Sequence, residues 1–373
     1  MDGTGLAKYV TGVGYYSLAV ARALQARRDA SVVLLRECAL THLENLHRFN
    51  GVPARWACLP KEVLGRSRWL EERTPFLPGP RLDVFHATES MRRNVPARRV
   101  VATVHDLGLV RGLVGGTGSV ARARRDLSRL LRAADHVVTV SAVTRADLLA
   151  EFPGLRRPVT VVYPGLIPVA ATAPQAPPRR YGLFVGATNR RKNLVGLISA
   201  VAELHGRGDW PEDLVLALAG PPGDQEEDVA RAIARHGVAR IVRRLGYVET
   251  DAELEGWIRG AEWLVLPGWY EGFGLPVLRA MTAGVPVLAS DTGAIPEVTA
   301  GAAALFPPGD AAALARLLGE VVDRPRRRAE LAARGLERSR AFSLDAFGEA
   351  LMVVYREAVS SAAPGALAVG GRL

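Results

Sequence analysis

Residues 261–290 read AEWLVLPGWYEGFGLPVLRAMTAGVPVLAS. The apolar run Trp263 to Pro267 is short and unbroken, which suits a strand buried on both faces. A loop follows, Gly268 Trp269 Tyr270, then Glu271 Gly272 Phe273 Gly274 Leu275 Pro276. Glycines allow a backbone to approach a ligand closely, and Pro276 is suited to the first turn of a helix. A second apolar run, Val285 to Ser290, closes the unit. Strand, loop, helix and strand in this order predict a parallel pair with a crossover helix, and a loop that aims N–H groups and a positive helix end outward.

The same alternation extends in both directions. Upstream of the quoted stretch, Tyr181 to Gly186, Leu214 to Gly220 and Ile241 to Val248 read as strands, separated by helical stretches such as Leu194 to His205. The first half offers Ser31 to Leu35, Asp83 to Ala87, Val100 to His105, His136 to Ser141 and Val159 to Tyr163. Between the halves, Pro164 to Arg180 holds five prolines and no period. The expected class is therefore α/β, with two Rossmann-like doubly wound domains facing a central cleft: residues 1–165, a linker at 166–180, and residues 181–340. A last helix, 344–358, is expected to pack back on the first domain. Open α/β sheets bind ligands at the carboxyl ends of their strands, which places the site in the cleft.

Composition agrees with a soluble α/β enzyme: 49% of the 373 residues are hydrophobic and 23% charged. No run reaches the ~20 apolar residues of a membrane span, and no signal-like segment opens the chain, so a cytoplasmic location is expected. Cys38 and Cys58 lie in no metal-ligand or CxxC spacing and are expected to be buried thiols. The formal charge of +10 favours polyanionic partners without choosing among them. Nucleic acid is not expected, because charge is the only feature in its favour.

Only three lysines occur among the 48 basic residues: Lys8, Lys61 and Lys192. Lys192 lies in Gly186 Ala187 Thr188 Asn189 Arg190 Arg191 Lys192 Asn193, directly after a strand. That layout suits a phosphate-binding turn, and a lysine surviving an arginine bias suggests that a compact ammonium is needed there. The alternative is a solvated basic loop. For Glu271 the choice lies between accepting hydrogen bonds from sugar hydroxyls and capping a helix.

From Tyr181 to Pro308 the chain resembles the donor domain of the retaining family-4 (group 1) glycosyltransferases of GT-B fold. The resemblance rests on VGATNRRKN, LALAGPPG, the long stretch from RLGYVETDAELEGW through PVLAS, GAIPEV and AALFPPGD. The first half is similar to the acceptor domain through TGVGYYS, FHATES, TVHDLGLV and ADHVVTVSAVTRADLL.

The resemblance implies that Arg191 and Lys192 hold a donor diphosphate and that Glu271 contacts the transferred sugar. Gly272, Phe273 and Gly274 would give main-chain contacts, and Gly12 and Gly14 would form a glycine loop closing on the phosphates. His105 would lie near the reacting sugar, whereas His86 reads as a packing residue. It further implies transfer of a hexose-type sugar from a nucleotide diphosphate sugar to a hydroxyl of a glycan, a lipid-linked saccharide or a small molecule. The leaving diphosphate itself would assist the acceptor, with retention of configuration. No Asp-x-Asp pair stands in the donor loop, so no metal and no cofactor is expected. A degenerate sugar-nucleotide-binding protein and a GT-B epimerase or phosphorylase are the rival readings.

The chain departs from the family pattern at two places. Arg279 stands where the family has a glutamate for the donor ribose; the expectations for it are contact with a phosphate or a position in solvent. Only ten residues precede Thr11 and they form no apolar run, so a core strand from an upstream start is expected. A third feature is the stripe Arg122, Arg125, Arg129 and Arg132, opposite Leu127, Leu130, Leu131 and Ala134. It reads as a solvated helix face, with peripheral contact to an anionic membrane as the alternative.

Overall fold

The computed structural model describes residues 12–38, 53–60, 81–88, 95, 97–113, 120–174, 177 and 180–361. Residues 1–11, on which the missing-strand expectation falls, and the side chains of Cys38 and Cys58 lie outside this set.

The chain starts with helix α1 (Gly12–Gln25) and two strands, β1 (Leu34–Cys38) and β2 (Ala54–Pro60), which pair in parallel as a separate ribbon. The first main sheet has four parallel strands in the order β3 (Leu82–Ala87), β4 (Ala97–Val104), β5 (His136–Thr139) and β6 (Val159–Val161). Helix α2 (Val120–Ala133) leads into β5, and α3 (Ala142–Glu151) follows it. Two sequence expectations change here. The strand expected at Ser31 to Leu35 begins at Leu34 and joins the ribbon instead of the main sheet. Its partner β2, ARWACLP, has too mixed a pattern to read as a strand.

The second half carries six parallel strands: β7 (Arg180–Val185), β8 (Leu214–Ala219), β9 (Val242–Gly246), β10 (Trp263–Leu266), β11 (Val287–Ser290) and β12 (Ala304–Phe306). Their helices are α4 (Leu194–Gly206), α5 (Glu226–Arg235), α6 (Asp251–Gly260), α7 (Leu275–Thr282), α8 (Ile295–Thr299), α9 (Ala311–Asp323) and α10 (Pro325–Ser339). The spatial order is β12-β11-β10-β7-β8-β9. The chain therefore winds outward one way from β7 and the other way from β10, and these two strands are neighbours, with Trp263 opposite Gly182 and Leu264 opposite Leu183. Where winding reverses, the loops after adjacent strands part and leave a crevice.

Helix α11 (Leu344–Ser360) follows. It crosses to the first sheet: Phe347 meets Tyr16 with ring centroids 5.5 Å apart, and Arg356 pairs with Asp29. One apolar core runs from the second sheet through α11 to α1, including Trp263, Phe184, Phe347 and Tyr16. Another fills the space between the first sheet and helices α2 and α3 around Phe85, Leu131 and Leu148. On α2, Arg122 and Arg129 pair with Asp126, and Arg124 pairs with Glu151. Among the described residues no helix is long and apolar enough to cross a membrane.

Candidate functional site

The crevice between β7 and β10 opens into a cleft of about 390 Å³, with walls from both halves of the molecule. After β7, the loop from Gly186 to Asn189 enters a single 3-10 turn, Arg190–Lys192, and Asn193 in the left-handed region (φ 52°) turns the chain into α4. After β10 comes the loop bearing Glu271. Because the strands are adjacent, these loops meet: Lys192 Nζ donates to Glu271 Oε1 at 2.7 Å, and Arg191 Nη1 lies 3.1 Å from Oε2. Arg191 also donates to the Tyr270 carbonyl at 2.7 Å, and Trp269 N–H donates to the Arg191 carbonyl at 2.8 Å.

This cluster is buried, with Lys192 7% and Glu271 5% exposed. Burial alone would raise the Glu271 carboxyl, but Lys192 and Arg191 together outweigh it and hold the group below its usual range, so it is ionised. Burial pushes the Lys192 ammonium down, partly offset by Glu271. Two cations are paired directly with one carboxylate at the floor of the cleft, and the Asp106 carboxylate acts on both from farther away. Desolvated charge of this kind draws an anion strongly.

The loop after β10 is packed tightly. A Cβ on Gly272 would lie 2.1 Å from the His105 carbonyl, so only glycine fits. Gly274 caps α7 at φ 89°, a conformation that favours glycine, and Pro276 lies in the first turn of that helix. All residues from Glu271 to Pro276 line the cleft.

The opposite wall holds His105, Asp106, Tyr15 and Tyr16. His105 Nε2 donates to the Thr88 carbonyl at 2.6 Å. Burial lowers its pKa, with the Thr88 carbonyl and Asp106 opposing, so the ring is neutral and Nδ1 is an acceptor. Its ring lies edge to face with Tyr16 at 4.8 Å. His86 does not line the cleft. Its ring nitrogens lie 2.7 Å from Tyr355 Oη and 2.7 Å from Thr103 Oγ1, which suits the packing role. Gly12 lines the cleft at the start of α1, whereas Gly14 is buried inside that helix and is not part of the cavity wall. The TGVG segment thus contributes a helix beginning, with one glycine of the two at the cavity.

Arg279 also lines the cleft and is buried rather than in solvent. At 9% exposure it is not in solvent, and its guanidinium is taken by protein acceptors. It reaches Asp251 Oδ1 and the Asp251 carbonyl at 3.2 Å each, and Glu255 at 3.6 Å, with its centre 5.6 Å from the Tyr15 ring. Sequence reading missed Asp251, Asp106, Tyr15 and Tyr247, all in the cleft wall, where Asn189 of the quoted Gly186 to Asn193 run also lies. Asn189 Oδ1 is buried without a hydrogen-bond partner in the protein. Among the described residues, no group of three or more His, Cys, Asp or Glu side chains is arranged to hold a metal ion.

Two parallel α/β sheets facing a cleft at a switch point define the GT-B class. Comparison with known proteins agrees. Residues 179–324 match the model described as glycosyl transferases group 1, and residues 10–168 match that of glycosyltransferase family 4. The chain belongs to the group 1, family-4 glycosyltransferases. It is 28% identical over 267 residues to an O-antigen chain mannosyltransferase B of Escherichia coli, covering 71% of this chain and 62% of that protein. With a D-inositol 3-phosphate glycosyltransferase 1 of Catenulispora acidiphila it shares 30% over 290 residues, covering 72% of this chain and 68% of that protein. The matched region thus spans about two thirds or less of each relative's length. Among solved structures, a sucrose-phosphate synthase from Thermosynechococcus elongatus superposes with TM-score 0.69 at 22% identity, covering 93% of each chain. Anabaena HepE in complex with UDP and glucose gives 0.70 at 18%, covering 93% and 96%.

Proposed function

We propose that the protein transfers a hexose-type sugar from a nucleotide diphosphate sugar to an acceptor hydroxyl, with retention of configuration and without a metal ion. The observation that carries this reading is the buried Arg191–Lys192–Glu271 cluster, which fixes two cations at the floor of the cleft. Arg191 and Lys192 take the diphosphate and stabilise its growing charge as the bond to the sugar breaks, the work that a metal ion does elsewhere. Glu271, ionised, accepts from hydroxyls of the sugar and fixes its orientation.

The His105 Nδ1 acceptor faces the same region from the other wall. The acceptor oxygen attacks the anomeric carbon as the carbon–phosphate oxygen bond breaks, and its proton passes to the departing diphosphate. No enzyme nucleophile is needed. Asp251, at the start of α6 beyond β9, is a further cleft carboxylate. It accepts from the nucleoside hydroxyls while Arg279 holds it in place. The acceptor is a glycan, a lipid-linked saccharide or a small molecule.

A thermal-shift panel of nucleoside diphosphates and their sugars tests donor binding, since a ligand at a hundred times its dissociation constant adds about 2.7 kcal/mol. Transfer to an added acceptor, followed by NMR of the product anomer in excess EDTA, tests the chemistry. The expected result is a retained anomer and undiminished turnover with chelator. Activity that vanishes on chelation and returns with magnesium or manganese defeats metal independence, and binding without any turnover favours the degenerate binding protein.

A further inference from the structure

The carbonyl of Gly272, in the middle of the donor loop, points at the other half of the molecule. Ser141 Oγ donates to it at 2.8 Å, and Thr144 Oγ1 lies 3.3 Å from it. Both hydroxyl residues are fully buried at the start of α3. Their position depends on how that helix end is held. Thr144 N–H donates to Ser141 Oγ at 3.0 Å, but the two N–H groups before it are satisfied from across the cleft. Ala142 and Val143 donate to the two carboxylate oxygens of Glu297 at 2.7 and 3.1 Å, and Tyr163 Oη adds a third bond at 2.7 Å.

Glu297 lies on α8, and the residue before that helix, Ala294, donates its N–H to the Glu271 carbonyl at 2.9 Å. The contacts form a closed ring: donor loop, α8, Glu297, the start of α3, Ser141, and back to the donor loop. A peptide unit is planar, so fixing the Gly272 carbonyl also fixes the direction of the Phe273 N–H.

We propose that Glu297 and Ser141 are positioning residues for the donor loop: Glu297 caps α3 across the cleft and so presses the Ser141 hydroxyl onto the Gly272 carbonyl. The inference rests on the reading of residues 271–274 as the donor loop. It makes donor-loop geometry conditional on docking of the two halves. Neither residue lines the cleft, and Glu297 is partly exposed, so its role can be removed without emptying a core site.

The test compares Glu297→Gln, Ser141→Ala and the double variant by amide hydrogen exchange and by KM and kcat for the nucleotide sugar that the wild type uses. Each single variant should speed exchange at residues 272–274 and raise the donor KM by about tenfold, the worth of one hydrogen bond to a charged or buried group. The double variant should be no worse than the stronger single one, because both act on one carbonyl. Glu297→Ala, which keeps no acceptor, should exceed Glu297→Gln. Loosened α3 amides with unchanged loop exchange and KM would show a plain helix cap and overturn the proposal, as would additive effects. If the wild type uses no nucleotide sugar, the functional reading fails, and loop exchange alone still decides the positioning role.

Discussion

The cleft holds two buried clusters built from the same kinds of side chain, with opposite balance. At the β7–β10 crevice two cations surround one carboxylate, Arg191 and Lys192 on Glu271. Farther along the wall, one cation lies between two carboxylates, Arg279 between Asp251 and Glu255. Glu255 is also shared with Arg259 at 2.9 Å, so the second cluster is close to neutral. In the first, two cations share one directly paired carboxylate, with Asp106 acting from farther away; in the second, one arginine is shared by two carboxylates. An arginine in a cleft is therefore not by itself a phosphate ligand, and the count of surrounding carboxylates decides the matter.

The largest effects should come from upsetting the first cluster. Glu271→Gln should lower kcat by about a hundredfold or more, since a misplaced sugar costs on that order, with donor affinity largely kept. It also leaves two buried cations without a directly paired carboxylate, with Asp106 acting on them from farther away. Pyrophosphate should therefore raise the melting temperature of this variant more than that of the wild type, and an equal rise would sink the argument that these two cations take an anion. Lys192→Ala should instead weaken nucleoside diphosphate binding by about ten- to a hundredfold, the worth of a charge-assisted hydrogen bond. Wild-type titration curves for this variant would remove Lys192 from the site.

How much of this contrast the sequence carries follows from the range of the interactions. Strands β7, β8, β10 and β11 are buried enough to read as plain apolar runs, and the loops after β7 and β10 carry Lys192 and Glu271 within a few residues of strand ends. That these strands are neighbours is not local information, and neither is the partner of Arg279, which lies 28 positions earlier. Glu297 belongs to a legible motif, GAIPEV, yet nothing near it indicates that its carboxylate caps a helix 155 positions away. Strand β2 escaped because its pattern is mixed and its pairing is with β1 alone. The TGVG segment shows a related limit: a glycine pair resembles a loop, but the chain already turns as α1 at Gly12.

Acid separates the first cluster from the rest of the core. The Glu271 carboxyl is depressed in the folded state, so its contribution is complete above the ordinary value of 4.5 and is lost as pH falls through the folded value. His86 differs in window: burial pushes it from 6.5 to about 3, so the unfolded chain binds the proton first and stability drops from pH 6.5 downward, by about 1.4 kcal/mol per unit. Denaturant titrations should therefore show wild type and Glu271→Gln losing stability in parallel from pH 6.5 to 4.5, with the wild type falling more steeply below that. Parallel curves throughout would mean that Glu271 is not held ionised by its neighbours.

The smallest effect on ligand binding is expected at Arg279. Arg279→Met keeps most of the side-chain length against Tyr15 but leaves Asp251 and Glu255 facing each other. Asp251 keeps a quarter of its side chain exposed, and Glu255 retains Arg259. Solvent therefore screens part of the loss, and a destabilisation of about 1–2 kcal/mol follows, below that of a fully buried broken pair. Adding Asp251→Asn removes the charge left unbalanced and should recover part of it, so the double variant is more stable than the sum of the singles by about 1 kcal/mol. Arg279→Glu would bring three carboxylates together and should be the least stable of the set. Affinity for pyrophosphate, which lacks a nucleoside, should change by less than about threefold in Arg279→Met, while nucleoside diphosphates bind more weakly because Asp251 is no longer held. If pyrophosphate binding instead fell as far as in Lys192→Ala, Arg279 would be a phosphate ligand, and the distinction between the two clusters would be wrong.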